Sequence, residues 1–330
     1  MNKQMMLPLL EPIYSTYHVQ SIGYAVASAN PSIRNWYLNE VLSLTCRQRF
    51  LNGYTTPDIR IDKSPWLENP YLEKRWIEMR ILGRAINEVI KNMLDMGYYV
   101  YFGDIDDFYI QGKSWYHKRH FTHDGLICGY NREDKTYCIY AYDSNWMCRS
   151  FFTPQAGLDR GRKAMEKQGV YGHMCGIKPY EDTILFSAEQ ALKNINEYNS
   201  SDLSMYPMTG EDMAYGTVVH IYMAKYIDML YDGLIPYERM DWRIFRVLWE
   251  QKKFMQERIR CIEKDFGMSD DISSKYSHIV SEADSMRMLY AAHHMRRRDS
   301  ILRGISKKLL LVHDKEKELL GELLRKAGVV

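Results

Sequence analysis

The sequence predicts an α+β protein, with an antiparallel sheet in its first half, helices ahead of that sheet, and a second half that is almost wholly helical. Three observations carry this prediction. Between about residues 97 and 153 the runs GYYVYFGDI, THDGLICGY and KTYCIYAYDS are rich in β-branched and aromatic residues, and the last two are separated by the polar turn NRED. From residue 187 onward the apolar positions recur at helical spacing. The composition, 46% hydrophobic and 26% charged over 330 residues, is that of a folded chain able to bury one large core or two modest ones.

Element by element, the Asn30-Pro31 pair reads as a helix start, an Asn cap followed by Pro in the first turn, with SIRNWYLNEVLSL continuing to about Leu44. LEKRWIEMRILGRAINEVIKNMLDMG reads as a second, longer helix. The strands follow. In the second half, DWRIFRVLWEQKKFMQERIRCIEKDFG places Ile244, Val247, Leu248, Met255, Ile259 and Ile262 near one face, and Gly267 is the expected stop. ISKKLLLVHDKEKELLGELLRK does the same with Ile305, Leu309, Val312, Leu319, Leu320 and Leu323. The expected division is a domain at 1–180 and a helical domain at 181–330 that covers or flanks a cleft in the first.

Composition excludes several classes. With 44 basic and 42 acidic residues the net charge is +2, so no global field advertises nucleic acid or an anionic membrane as partner. The start, MNKQMMLPLLEPIY, is broken by Pro8 and Pro12 and does not read as a signal peptide. No stretch approaches the roughly 20 apolar residues of a membrane helix. Six cysteines without C-x-x-C spacing argue against a disulfide framework or a thiolate zinc site, so a soluble protein of the reducing cytosol is expected. The 26 Tyr and 20 Met favour amphipathic, adaptable surfaces.

Period-2 alternation within the hairpin puts His123, Gly125, Ile127 and Gly129 on one face of the first strand, and Tyr137, Ile139, Ala141 and Asp143 on one face of the second. Folding about NRED sets His123 opposite Asp143, with Cβ atoms roughly 5 Å apart if odd positions pair with odd. A carboxylate at that distance fixes the tautomer of an imidazole and stabilises the imidazolium formed when it takes a proton. A solvated His and a strand-end Asp that never meet are the ordinary alternative. His117, His120 and His123 at three-residue spacing, with Asp104, Asp106 and Asp107 upstream, are a weaker metal candidate, because residues three apart on a strand face opposite sides. The GDIDDF acids read as solvated carboxylates at a strand end.

HDGLICGY followed by KTYCIYAYDSNW resembles the His and Asp strands of papain-like peptidases of the bacteriocin-processing type. DIDDFYI, HFTHDGLICGYN and LWEQKKFMQERI narrow the likeness to proteins typified by butirosin biosynthesis protein H, across most of the chain. That resemblance implies a papain-like fold in residues 1–180. It also implies a Cys-His-Asp site that passes an acyl group from a carrier-protein thioester to an amine in peptide-antibiotic biosynthesis, with thioamide-bearing units among the substrates. The same likeness implies no cofactor beyond the phosphopantetheine of an acyl or peptidyl carrier protein, and no metal. His123 is the expected acid and base, Asp143 its orienter, and Gln20 the oxyanion donor. A nucleophile expected about six residues after Gln20 falls at Val26 or Ala27, with Ala27, just before the Asn30 helix start, preferred, so the chain is expected either to have had its Cys replaced or to lack one naturally. Cys46, near the end of that helix, and Ser28 are rival nucleophiles. A cysteine hydrolase or a non-catalytic binding protein of the same fold are the alternative functions. The basic run HHMRRRD at 293–299 is a candidate contact for an acidic carrier, or a solvated helix face. The Met/Tyr stripe of MAYGTVVHIYMAKYIDMLY reads as core, or as the lining of an acyl tunnel.

Overall fold

A computed structural model describes residues 3–27, 30–53, 56–62, 66–201 and 212–330. In chain order the elements are β1 (Gln4–Met6), α1 (His18–Val26), α2 (Ile33–Glu40), β2 (Leu44–Arg47), β3 (Arg60–Ile61), β4 (Leu72–Glu78), α3 (Met79–Leu82), α4 (Ile86–Asp95), β5 (Tyr99–Asp106), β6 (Thr122–Asn131), β7 (Thr136–Tyr142), β8 (Cys148–Pro154), α5 (Gln155–Glu166), β9 (His173–Pro179), α6 (Ala188–Ser200), β10 (Met213–Tyr215), α7 (Val219–Tyr231), α8 (Ile244–Asp265), α9 (Asp271–Arg296) and α10 (Ser300–Lys326). They form a mixed α and β protein with an antiparallel sheet and a helical C-terminal region. No helix among the described residues is long and apolar enough to cross a membrane.

The chain divides into two compact units, Met1–Ile33 with Pro65–Thr183, and Arg34–Ser64 with Ile184–Val330. The division near residue 183 lies close to the expected one at 180. Residues 34–64, expected in the first domain, belong instead to the second unit. The reason is packing: Arg258 of α8 is fully buried and donates to the carbonyls of Tyr37, Leu38 and Val41 beyond and within α2.

The first unit is built on a seven-stranded sheet ordered β4-β9-β5-β6-β7-β8, with β1 pairing the far end of β6, and every pair antiparallel. NRED makes the β6–β7 turn as expected, Asn131 pairing with Thr136 and its side-chain carbonyl accepting from the Glu133 and Asp134 amides. One sheet face carries Val100, Phe102, Ile127, Ile139 and Met174 under Ile86, Ile90, Met93 and Leu94 of α4 and Leu158 of α5. Gly161 of α5 lies so close to β5 that a Cβ there would sit 2.8 Å from the Ile105 side chain and 2.9 Å from the Asp106 carbonyl. A side chain at that position would push α5 off the sheet.

The long helix expected from Leu72 does not form. Leu72–Glu78 is instead the edge strand β4, and helix resumes only in α3 and α4. The ladder with β9, running from Leu72↔Pro179 to Glu78↔His173, overrides a local helical preference. The charged residues Lys74, Arg75 and Glu78 suit an edge that must not pair with other chains. The helix start at Asn30 is real, since its side chain accepts from the Ser32 amide at 3.1 Å, but α2 stops at Glu40.

In the second unit α7, α8, α9 and α10 pack together, with a small sheet ordered β10-β2-β3 alongside. The Met/Tyr stripe of α7 is core, with Met223, Tyr226 and Ile227 buried. Within these helices Lys252 donates to Glu316 Oε1 at 2.8 Å and Oε2 at 2.7 Å, and to Tyr198 at 2.7 Å, all fully buried. Tyr276 also donates to Glu316. His220 lies 3.3 Å from Glu316 Oε2, and its Nδ1 is 2.7 Å from the Thr217 carbonyl. Burial above all, then the Lys252 charge and nearby His313, push the His220 imidazole down to about 3 against the pull of Glu316.

An imidazole held neutral while the unfolded chain titrates near 6.5 makes the unfolded state the better proton binder below that pH. Stability contributed by His220 is therefore complete above about 6.5 and is lost as pH falls toward 3. By about pH 5 the loss is about 2 kcal/mol. Denaturant unfolding at pH 7.5 and at pH 5 should show it, and His220→Gln should have a smaller difference between the two pH values, whatever its absolute stability.

Candidate active site

The face of the sheet opposite α4 and α5 is covered by α1, whose first turn reaches the end of the sheet where β6 begins and β7 ends. The pairing Leu126↔Tyr140, carried on along the strands, sets position 124 against Tyr142, and Tyr142 pairs with Cys148 across the next hairpin. Positions 124 and 126 of β6 and 140 and 142 of β7 thus point toward α1, while beyond the bulge at Ile127/Gly129 the parity of β6 changes and Tyr130 joins the core. Ser21 of α1 is hydrogen-bonded to the Tyr140 hydroxyl, and Tyr142 donates to the Ser15 and Thr16 carbonyls just before the helix.

At this end stands His18, the first residue of α1, with its ring almost fully buried. Its Nδ1 lies 2.8 Å from Asp124 Oδ1, and its Nε2 lies 3.1 Å from the Tyr140 carbonyl. Both neighbours are acceptors, so both ring nitrogens are set up to carry protons. Burial pulls the imidazole down, but the charge and hydrogen bond of Asp124, with a smaller contribution from Cys148, override it and raise His18 to about 10. For Asp124, burial works upward and is outweighed by His18 and His123, which hold the carboxyl far below the usual range. Tyr101 donates to the second oxygen, Oδ2, at 3.1 Å. Lys113, buried and paired with Asp107 at 2.6 Å, donates to the Asp124 backbone carbonyl at 2.8 Å and pins the strand there.

Cys148 stands partly buried at the start of β8. Its Sγ is 3.3 Å from Ser21 Oγ. Burial favours the neutral thiol, but His18, Ser21 and Tyr140 together lower it. The positive end of the α1 dipole acts in the same direction. A thiol, an imidazole and a carboxylate therefore follow one another as Cys148, His18 and Asp124.

The structure brings only one of the expected site residues to this place. His123 lies there, its Nδ1 3.0 Å from Asp124 Oδ1 and 3.2 Å from the Asp124 carbonyl, and its ring 5.9 Å from that of His18. Asp143 does not orient it. The Asp143 carboxylate accepts from the Asn145 amide at 2.8 Å and the Met147 amide at 3.0 Å, and pairs with Arg149, so that it caps the β7–β8 turn. The pairing of odd with odd positions places His123 across from Asp143 as expected, but the side chains that meet α1 belong to the even positions, and Asp124 is one of them. Ala27 is the C-cap of α1, nine residues beyond His18 and about 13 Å along the axis. A thiol there would face the negative end of the helix. Gln20 lies in the first turn of α1, buried, with its backbone N–H already donating to the Tyr17 carbonyl at 3.0 Å.

Cys46 lies in β2 of the second unit, where burial first, and then Asp58 and Asp212, push its thiol up. Ser28 lies outside the described residues. The His117, His120, His123 series is not gathered: His117 stacks on Tyr116, and His120 is 2.6 Å from Asp106. Asp106 and Asp107 are buried and bonded rather than solvated, while Asp104 sits at φ 56 beside His173. In the basic run, His293 is buried and Arg297 lies over the Tyr237 ring at 4.2 Å. Among the described residues, the donor group tight enough to hold a metal ion is His18, His123 and Asp124, whose ligand atoms lie within 4.8 Å of one another.

The residues that sequence reasoning passed over are His18, Asp124 and Cys148. Cys148 had a readable signal: the turn DSNWM after a strand returns the chain antiparallel, and an equal count on either side sets 148 against 142. His18 had none of comparable strength. No protein-family model matches the chain, and no curated protein matches its sequence.

Asp124→Asn should move the ring proton resonances of both His18 and His123 in an NMR spectrum, whereas Asp143→Asn should leave both in place and perturb only the amides of residues 144–149. A response of His123 to the Asp143 change alone would show that the expected pair forms after all.

Proposed function

We propose that the first unit is a thiol-dependent acyltransferase, with Cys148 as nucleophile, His18 as general acid and base, and Asp124 as the group that orients and charges His18. The observation that carries this reading is that Cys148 Sγ lies 3.3 Å from Ser21 Oγ, three residues along α1 from His18, whose charge lowers the thiol and which is itself bonded to Asp124 at 2.8 Å. It keeps the Cys-His-Asp chemistry expected from the resemblance to papain-like proteins of the butirosin biosynthesis protein H type, and moves it to different residues.

Cys148 Sγ, held as a thiolate beside the already protonated His18, attacks the carbonyl carbon of an acyl thioester. The tetrahedral oxyanion collapses, the C–S bond to the donor breaks, and the departing thiolate takes the proton from His18. An amine then attacks the acyl-Cys148 thioester and gives its proton to His18, which returns it to Sγ as that bond breaks. Asp124 keeps His18 in place and stabilises its charged form throughout. The donor would arrive on a carrier-protein phosphopantetheine, and the product would be an amide of the kind found in peptide antibiotics. A hydrolase would use the same three groups with water in place of the amine.

Iodoacetamide at neutral pH should alkylate Cys148 at least about tenfold faster than the other five thiols, as read by peptide mass spectrometry. His18→Gln should slow this at Cys148 alone. Incubation with an acyl-pantetheine thioester and an amine should yield amide, and Cys148→Ser should abolish it. Free acid as the sole product would make the protein a hydrolase, and equal alkylation of all six thiols would remove Cys148 as the nucleophile.

A further inference from the structure

We infer that His18, His123 and Asp124 form a binding site for one divalent transition-metal ion of the zinc class. Three donor atoms converge without rearrangement of the backbone: Asp124 Oδ1 lies 2.8 Å from His18 Nδ1 and 3.0 Å from His123 Nδ1. Donors around a tetrahedral Zn2+ with bonds near 2.0–2.1 Å stand roughly 3.3 Å apart. Lengthening the two contacts to Asp124 by about 0.3 to 0.5 Å, and drawing together by side-chain rotation the donor atoms that now lie within 4.8 Å of one another, admits the ion. Two imidazoles and a carboxylate are a donor set that such ions take, and one that magnesium or calcium does not favour.

The groups behind the donors are also those of a metal site. A ligating histidine ordinarily donates its second ring N–H to a carbonyl or carboxylate, and His18 Nε2 faces the Tyr140 carbonyl at 3.1 Å. A ligating carboxylate is ordinarily held by a hydrogen bond on its other oxygen, and Tyr101 supplies one to Asp124 Oδ2 at 3.1 Å. The nearby Lys113 charge is matched by Asp107, so it sets up no net repulsion. The side chains of His123 and Asp124 remain 27% and 17% exposed, which leaves an approach from solvent and a fourth position open to water or an anion.

Binding releases the proton that His18 Nδ1 shares with Asp124. It also withdraws both groups from the thiol chemistry, so the ion would act as an inhibitor there. That consequence rests on the proposed acyl transfer, whereas the binding does not.

Titration of the full chain with Zn2+ by calorimetry should show one ion per chain. His123→Ala and Asp124→Asn should each weaken binding at least tenfold, and Tyr101→Phe about tenfold, while circular dichroism confirms that each variant is folded. Co2+ in place of Zn2+ should give the visible d–d bands of a low-coordinate site. Those bands should be lost in His123→Ala, unchanged in Cys148→Ser, and free of a thiolate-to-cobalt charge-transfer band. No binding, binding indifferent to His123 and Asp124, or a charge-transfer band that vanishes in Cys148→Ser would each overturn the assignment. Cys148→Ser that binds Zn2+ normally while the wild-type chain makes no amide would sink the acyltransferase reading and leave the metal site standing.

Discussion

The carboxylate of Asp124 is the constraint on which the arrangement of the first unit's α1 face depends. An ionised carboxylate taken out of water is costly unless its lone pairs are filled. Here they are filled by His18, His123 and Tyr101, and Lys113 holds the backbone of the same residue from behind. Each of these partners comes from a different stretch of chain: the start of α1, the neighbouring position on β6, the middle of β5, and the loop after it. Satisfying one buried charge thus fixes where four segments meet. The aromatic residues around it, Tyr140 and Tyr142 with ring centroids 6.1 and 5.7 Å from His18, close the space and keep the local dielectric low.

Much of the first unit was legible in the sequence because strands leave a period-2 trace and turns leave polar residues. The β6 and β7 strands and the NRED turn between them could be placed, and with them the pairing of positions 123 and 143. What alternation alone does not say is which of the two faces will meet α1 and which will meet the core. That is decided by α4 and α5, which claim the odd positions Ile127 and Ile139 and leave the even ones to α1. A single step in parity therefore separates Asp143, which serves a turn, from Asp124, which serves the histidines. The edge strand β4 was misread for a related reason. Its charged run Glu73–Arg75 between Leu72 and the Trp76-Ile77 pair fits a helix face as readily as a half-exposed strand, and only its partner β9, about a hundred residues away in the chain, settles the matter.

The two units handle buried polarity differently. In the sheet unit the charged cluster lies at the end of the sheet, with His123 and Asp124 still touched by solvent. In the helical unit Lys252 and Glu316 are sealed, surrounded by Tyr198, Tyr276 and His220, with no exposed surface on the pair. A sealed pair of this kind adds little net stability over a well-packed apolar pair, but it forbids alternative packings in which either charge is left alone. Helices α6 through α10 carry long apolar stripes that would tolerate several registers, and this network ties α6, α8, α9 and α10 to one.

The turn between β7 and β8 sets the parity of the strand that follows it. Cys148 faces α1 only because five residues, Asp143–Met147, separate it from Tyr142. Adding or removing one residue there would invert the parity of the whole returning strand. The thiol would then point toward α5, and Phe151 would leave the core. The length of this turn, more than its composition, sets which face of the sheet the returning strand offers to α1.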